Sequence, residues 1–367
     1  MEFDEPADER RQVASVLDRH DVADLTGDEA PLLASARMVR LGLIAASRIA
    51  KPAVVDPVAD VDGVELTAIA ARDPERARST ASQWGISAVF DSYEALIASP
   101  DVDAVYIGTP ASLHRQPAIA AIEAGKHVLC EKPFAANADD ARLIADAARG
   151  SDVVVMEAFH WRYHPYAQQI RDVLDSGVLG KVERVEAVFD IPDGHIARDD
   201  IRWSLPLGGG ATMDLGCYSI QWARFAAGPD PEVVSAEAVC LVDGIDGSLV
   251  AELCWPSGVT GRVGSSMIAP GADEVIYLRV VGEQGEMVAT NPLAPQKGGA
   301  LLTVDAGGTK NTYDVARTAT YFHQLEAFRD AIVDGKPFPT TADDGVRNME
   351  IIDACYRAAG LDPRPTA

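Results

Sequence analysis

Residues 39–50 read VRLGLIAASRIA. A mostly apolar run passes into a turn of small residues and then toward a helix, where a dinucleotide-binding fold places Gly-x-Gly-x-x-Gly. The three fingerprint positions hold Ala45, Ser47 and Ala50. In that fingerprint the first small residue permits a tight turn, the second lets backbone N–H groups approach a pyrophosphate, and the third lets helix and strand pack closely. Ala and Ser are small. If they sit at negative φ, a helix starting near Ser47 still offers its N–H groups and positive dipole end, with Arg48 and Ile49 completing the cradle. Ser47 adds a hydroxyl. A strand, turn and helix with no ligand would read the same way, so the surroundings must decide.

Outward from this loop, short β-rich runs alternate with helical ones. VELTAIAA is followed by DPERARSTASQWG, AVYIGTP (104–110) by LHRQPAIAAIEAG (113–125), and HVLCEKP (127–133) by NADDARLIADAARG (137–150), before DVVVMEAF (152–159). This βαβ alternation, with nearly all-apolar strands, predicts a parallel sheet covered on both faces. Beyond residue 160, after a helix around 166–176, the segments VERVEAVFDI, VVSAEAVCLV, LVAELCWP, GVTGRVGSSM and VIYLRVVG alternate apolar and polar. They predict a mainly antiparallel sheet with one face covered. The fold class is therefore α/β, with a Rossmann-type domain at 38–159, an α+β domain at 160–320 and amphipathic helices at 321–367 packing back. Residues 1–37, rich in Asp, Glu and Arg, read as an acidic extension with one helix-like stretch.

The 367 residues are 47% hydrophobic and 24% charged, enough for a large core. A formal charge of -24 repels nucleic acid and anionic membranes, so neither is an expected partner, and any bound phosphate needs a local solution. No run of about 18 apolar residues occurs, and the start MEFDEPADERRQ is acidic, so the expected compartment is the cytoplasm. Five scattered cysteines without a Cys-x-x-Cys pair predict reduced thiols.

Two strand ends, at Thr109-Pro110 and at Glu131-Lys132, fall on the carboxyl edge of the predicted sheet, where such folds bind ligands. Lys132 can donate to a substrate oxygen, or transfer a proton if its neighbours depress its pKa. Where a NAD site would present an acid to the ribose, the second strand ends in Arg72, which suits a 2′-phosphate and favours NADP; an ordinary solvated Arg beside an Asp-Pro helix cap is the alternative. Asp214 and Tyr218 stand i, i+4 and would share a helix face. His160 and His164 share that spacing, but no Glu completes a His-Glu-x-x-His helix, and no metal is expected.

AGKHVLCEKPFA (124–135), MEAFHWRYHP (156–165), GVLGKVERVEAVF (177–189) and GGGATMDLGCYSIQWARFAAG (208–228) resemble, in order, the signatures of the glucose-fructose oxidoreductase, inositol dehydrogenase and rhizopine-catabolism (Gfo/Idh/MocA) family. The likeness spans about residues 39–360. It implies an NAD(P) domain followed by an open mixed sheet, with Lys132 at the reacting hydroxyl, Asp214 on substrate and Tyr218 at the position of the proton-transfer residue. Tyr rather than His there is similar to the glucose-fructose oxidoreductase and dihydrodiol dehydrogenase side of the family. Arg162 and His164 are implied as substrate or cofactor neighbours, His114 as a cofactor neighbour, and Arg202 and Trp203 as closing the pocket. Ala111 stands where many relatives carry Asn, which removes one hydrogen bond to the cofactor.

The resemblance thus implies an NADP-dependent (NAD possible) oxidoreductase acting on a secondary alcohol or carbonyl of a sugar, polyol or cyclic diol. It also implies a homodimer or homotetramer through the open sheet. Two alternatives stay open: a redox-neutral glycosidase of the same fold, and a non-catalytic binding protein.

Overall fold

A computed structural model describes residues 38–366. The acidic extension, 1–37, lies outside the described residues. The first sheet contains β1 (Val39–Ile44), β2 (Val64–Ala70), β3 (Ala88–Phe90), β4 (Ala104–Ile107), β5 (His127–Cys130) and β6 (Val155–Glu157). Their order is β3-β2-β1-β4-β5-β6 and every pairing is parallel. The direction of winding reverses between β1 and β4, which opens a crevice beyond their carboxyl ends. The helices between strands are α1 (Pro74–Trp84), α2 (Tyr93–Ile97), α3 (Arg115–Glu123) and α4 (Ala138–Ala148).

The segment after β1 departs from the expected helix. A π turn at Lys51–Val55 runs into a 3-10 turn at Pro57–Ala59. Pro52 and Pro57 carry no N–H and interrupt a regular ladder; Asp56 N instead donates to Lys51 O at 2.9 Å. The run 152–159 contributes only the three-residue β6, and β3 and α2 are additions that the apolar pattern did not mark.

After α5 (Pro165–Asp175) come β7 (Val182–Pro192), α6 (Cys217–Ala227), β8 (Glu232–Val242), β9 (Ile245–Cys254), β10 (Thr260–Ala269), β11 (Val275–Gly282), β12 (Gly285–Thr290), β13 (Leu301–Ala306) and β14 (Thr309–Tyr313). The eight strands order as β14-β13-β12-β11-β7-β10-β9-β8, antiparallel throughout except for β7 beside β10. Period-two alternation sends Val185, Ala187 and Phe189 of β7 inward against α6, where Phe189 stacks on Trp222 with ring centroids 6.2 Å apart. On the opposite face Val188, Tyr277, Val281 and Val288 stay partly exposed.

The chain then returns to the first sheet. On α7 (Thr320–Asp334), Leu325 and Phe328 are buried in one cluster with Leu41, Leu43 and Tyr106; each such side chain stabilises by about 1.5–3 kcal/mol. On α8 (Ala342–Ala358), Asp353 accepts from Ala138 N at 3.1 Å and Asn348 donates to Cys217 O at 3.2 Å, joining α4 to α6. No helix among the described residues is long and apolar enough to cross a membrane.

Candidate active site

A cleft of about 760 Å³ opens at the β1/β4 crevice. Ala45, Ser47, Arg48, Ile49, Arg72, Thr109, Pro110, Glu131, Lys132 and Asp214 all line it, so most of the expected residues converge. Arg162, His164, His114, Trp203 and Tyr218 do not line it; Tyr218 is buried behind Lys132.

The loop after β1 keeps the geometry of the missing glycine. Ala45 stands at φ 80, so the expectation of negative φ fails there; the left-handed conformation costs a residue with a Cβ about 1–2 kcal/mol. Ala45 N donates to Ala70 O at 2.9 Å, which fixes the turn against β2. Ala50 is fully buried at the close-packing position. The hydroxyl of Ser47 is buried without a protein partner, and a Cβ on Gly108 would collide with it, so the two loops touch here. Thr109 Oγ1 is a second buried hydroxyl without a partner. The five-residue π turn that follows is too short to supply the expected dipole.

At the β2 end Asp73 caps α1, accepting from Glu75 N at 3.0 Å and Arg76 N at 3.4 Å. Arg72 is left on the rim of the cleft beside Arg76, whose guanidinium donates to Ala46 O at 2.7 Å. Arg76 is a lining residue the sequence does not single out, because Arg72 precedes the Asp73 cap and no helical spacing relates the two.

Lys132 is the centre of the polar floor. Its Nζ donates to Asp214 Oδ1 and to Asp214 O, each at 2.9 Å, and lies 5.0 Å from the ring centroid of Tyr218. Burial pulls the Lys132 pKa down, but Asp214, Cys217 and Glu131 outweigh it and hold the amine above its ordinary value. The condition for proton transfer by Lys132, a depressed pKa, is therefore not met, and donation is the role its surroundings favour. Burial would raise the Asp214 carboxyl, yet Lys132 and Arg202 hold it well below the usual carboxylate range. Arg202 donates through Nε to Asp214 Oδ2 and through Nη1 to Asp200 at 3.0 Å, while Arg48 reaches Asp200 at 3.1 Å. Ion pairs thus run from the β1 loop across the cleft to Lys132. Glu131, pushed up by burial, accepts from Tyr106 OH at 2.7 Å and from Lys132 N at 3.2 Å.

Asp214 sits in a π turn, Thr212–Gly216, and Tyr218 in the first turn of α6, so the expected single α-helical face is replaced by a wider turn that still brings both to Lys132. The Tyr218 hydroxyl lies 3.2 Å from His160 Nε2, and His160 Nδ1 lies 2.8 Å from Thr320 Oγ1. Burial raises the Tyr218 pKa well above its ordinary value, followed by the charges of its neighbours, and burial lowers His160 to about 3, leaving a neutral imidazole. His160 was considered in the sequence only as a metal ligand; nothing in its spacing pointed to Tyr218, 58 residues away.

Arg162, His164 and His114, outside the lining, meet other groups. Arg162 stacks 4.1 Å from the Phe225 ring. His164 accepts from Tyr166 N at 3.0 Å as the cap of α5 and meets Thr318 at 3.1 Å. His114, fully buried, has Nε2 2.8 Å from Thr109 O and Nδ1 3.1 Å from Pro133 O, so it ties together the two strand ends that carry Thr109 and Lys132. Trp203 is buried under Arg198, 4.4 Å away. Among the described residues no group of three or more His, Cys, Asp or Glu is arranged to hold a metal ion.

Two family models match the chain: the Gfo/Idh/MocA oxidoreductase family, NAD-binding Rossmann fold, over residues 39–159, and the Gfo/Idh/MocA C-terminal domain over residues 167–288. The chain is 35% identical over 322 residues to a D-xylose 1-dehydrogenase (NADP(+)) of Haloferax volcanii, covering 87% of this chain and 96% of that protein. The solved structure of a 3-ketoreductase from Actinomadura kijaniata in complex with NADP and TDP-benzene superposes with a TM-score of 0.79 at 27% identity, covering 88% of this chain and 98% of that one. An aldose-aldose oxidoreductase from Caulobacter crescentus, complexed with glycerol, superposes with a TM-score of 0.80 at 27% identity and the same coverage.

Proposed function

The chain belongs to the Gfo/Idh/MocA oxidoreductase family, and from this premise we propose an NADP-dependent enzyme that moves hydride between nicotinamide and a secondary alcohol or carbonyl carbon of a sugar or polyol. The observation that carries the reading is Lys132 Nζ, fixed 2.9 Å from Asp214 on the floor of the cleft and 5.0 Å from the Tyr218 ring. A charged donor, its carboxylate brace and a phenol are there gathered at one point.

The lining fits a nicotinamide dinucleotide. Ser47 and Thr109 offer buried hydroxyls that no protein group satisfies, and such groups call for a partner. Arg72 and Arg76 offer cations for a 2′-phosphate, and Asp73 Oδ1 is engaged in capping α1. The nucleotide, when bound, supplies or accepts the hydride at nicotinamide C4.

The protein's own residues manage the oxygen. In the reducing direction negative charge grows on the carbonyl oxygen of the substrate. Lys132 donates to that oxygen and stabilises the charge, since Asp214 keeps its amine protonated. The Tyr218 O–H bond breaks and its proton passes to the nascent alkoxide; burial, by keeping that proton on the phenol until then, makes Tyr218 an acid rather than a resting base. Tyr218 exchanges this proton with solvent between turnovers: the tyrosinate left by reduction is reprotonated, and in oxidation the phenol must lose its proton before it can take that of the alcohol. Asp214 also orients Lys132, and Arg202 orients Asp214.

The partly exposed apolar side chains on the uncovered sheet face, among them Val188, Val281 and Val288, support a homodimer through that face. The test of the enzymatic reading is turnover: NADPH consumed with keto sugars, or NADP reduced with aldoses and polyols. We expect Lys132→Ala to lower kcat by at least about a hundredfold while NADPH still binds. Binding without turnover by the wild type on any such substrate would overturn it.

A further inference from the structure

The carboxyl-terminal tail, residues 361–366, packs behind the glycine loop that lines this cleft. Arg364 is completely buried, with a side-chain exposure of 0%. Its Nε donates to Gly209 O at 2.6 Å, its Nη1 to Gly244 O at 2.9 Å and its Nη2 to Asp246 Oδ1, while the guanidinium lies 3.9 Å from the ring of Tyr356. Tyr356 donates to the same Asp246 oxygen at 3.1 Å. The other oxygen, Oδ2, accepts from Thr212 N at 2.7 Å and Thr212 Oγ1 at 2.6 Å.

Both ends of this network belong to the site. Gly208, Gly209 and Gly210 line the cleft, and Thr212 begins the turn that carries Asp214. Gly210, at φ 138, lies so close to the network that a Cβ would collide with Asp246 Oδ1 and Arg364 Nη2. A buried carboxylate with four donors and a planar guanidinium with four acceptors, Asp362 O at 3.4 Å being the fourth, leave the loop little freedom. The tail is itself anchored from outside: Asn137 Nδ2 donates to Arg364 O at 2.8 Å, and Thr366 Oγ1 donates to Asp140 Oδ2 at 2.7 Å.

We propose that Arg364 is a positioning residue of the active site: through Gly209 and Asp246 the tail holds the Gly208–Gly210 loop and the Thr212–Gly216 turn where bound cofactor and Lys132 need them. This rests on the proposed NADP-dependent activity only for its catalytic consequence. The placement of the loop can be read without any ligand.

The experiment compares wild type with Arg364→Met and with the milder Thr366→Ala/Asn137→Ala pair, which removes the outer anchors and the cap Asn137 gives α4 but leaves the buried network intact; exchange within α4 reads the loss of the cap separately. Amide hydrogen exchange over residues 208–216, NADPH affinity and steady-state kinetics are measured well below each melting temperature. We expect Arg364→Met to speed exchange at 208–216 at least tenfold beyond any change elsewhere, to weaken NADPH at least tenfold and to lower kcat. The double variant should shift exchange and affinity in the same direction by smaller factors, and it decides the matter if Arg364→Met does not fold. A lower melting temperature with exchange, affinity and kcat unchanged in folded protein would overturn the proposal, as would a double variant indistinguishable from wild type when Arg364→Met is unfolded. If wild type bound no NADPH, the functional reading would fail, while exchange at 208–216 would still decide the role of the tail.

Discussion

Replacing Asp214 by Asn should change the charge state of the lysine beside it. Two unit charges about 4 Å apart interact by about 4 kcal/mol at the effective dielectric of a partly buried site. Lys132 would keep Asp214 O as an acceptor, and Arg202 would keep Asp200, so not all of this is lost. We expect a stability loss of about 2–3 kcal/mol, at the low end for breaking a buried pair because Arg202 is 36% exposed. With Asp214 neutral, the largest charge opposing burial is gone, and the lysine pKa moves down. The sign is testable. The basic limb of kcat/KM should lie at lower pH in Asp214→Asn than in wild type, because the donor loses its proton more readily. The stabilising effect of Asp214 itself, whose folded pKa is depressed, is present above its unfolded value near 3.9 and is lost only as pH falls through the lower folded value. Urea denaturation at pH 7 and a pH profile from 6 to 10 provide the assay. A variant as stable as wild type with an unchanged basic limb would refute the brace between Asp214 and Lys132.

Three further outcomes follow from the geometry. Tyr218→Phe should lower kcat by about 10²–10⁴ with NADPH affinity intact, and His160→Phe should lower it less by freeing the Tyr218 hydroxyl; stopped-flow hydride transfer separates both from binding effects. Ala45→Gly should relieve the left-handed strain of about 1–2 kcal/mol against an entropy cost of about 0.5–1, for a net gain of roughly 0.5–1 kcal/mol in urea denaturation. Removing Arg72 and Arg76 together should weaken NADPH at least tenfold and leave NADH nearly unaffected, measured by calorimetric titration.

The sequence was informative where a residue's role is set by its own strand or turn. The apolar runs fixed β1, β2, β4 and β5, and their ends delivered Thr109 and Lys132 to one edge, because a parallel sheet leaves little choice about where strand ends go. It was silent where the partner is distant in the chain: Lys132 meets Asp214 across 82 positions and Arg364 meets Gly209 across 155. Backbone conformation was also hidden, since nothing in an alanine marks the positive φ of Ala45, and the two prolines after it turned an expected helix into irregular turns. Arg162, His164 and His114 carry polar groups suited to a ligand, but local capping and stacking partners use them first. β12, β13 and β14 escaped notice because these short strands, two of them only half-covered, carry a weak alternating pattern.

The most direct test of the account is a thermal-shift titration of cofactor-free, folded protein with NADPH and with NADH, because a ligand bound only to the native state stabilises it by RT ln(1 + [L]/Kd). The account predicts a rise in melting temperature that saturates with NADPH and is clearly smaller with NADH at equal concentration. No shift with either nucleotide would mean that the Ala45–Ser47 loop holds no pyrophosphate, and would contradict the claim that this chain is an NADP-dependent oxidoreductase.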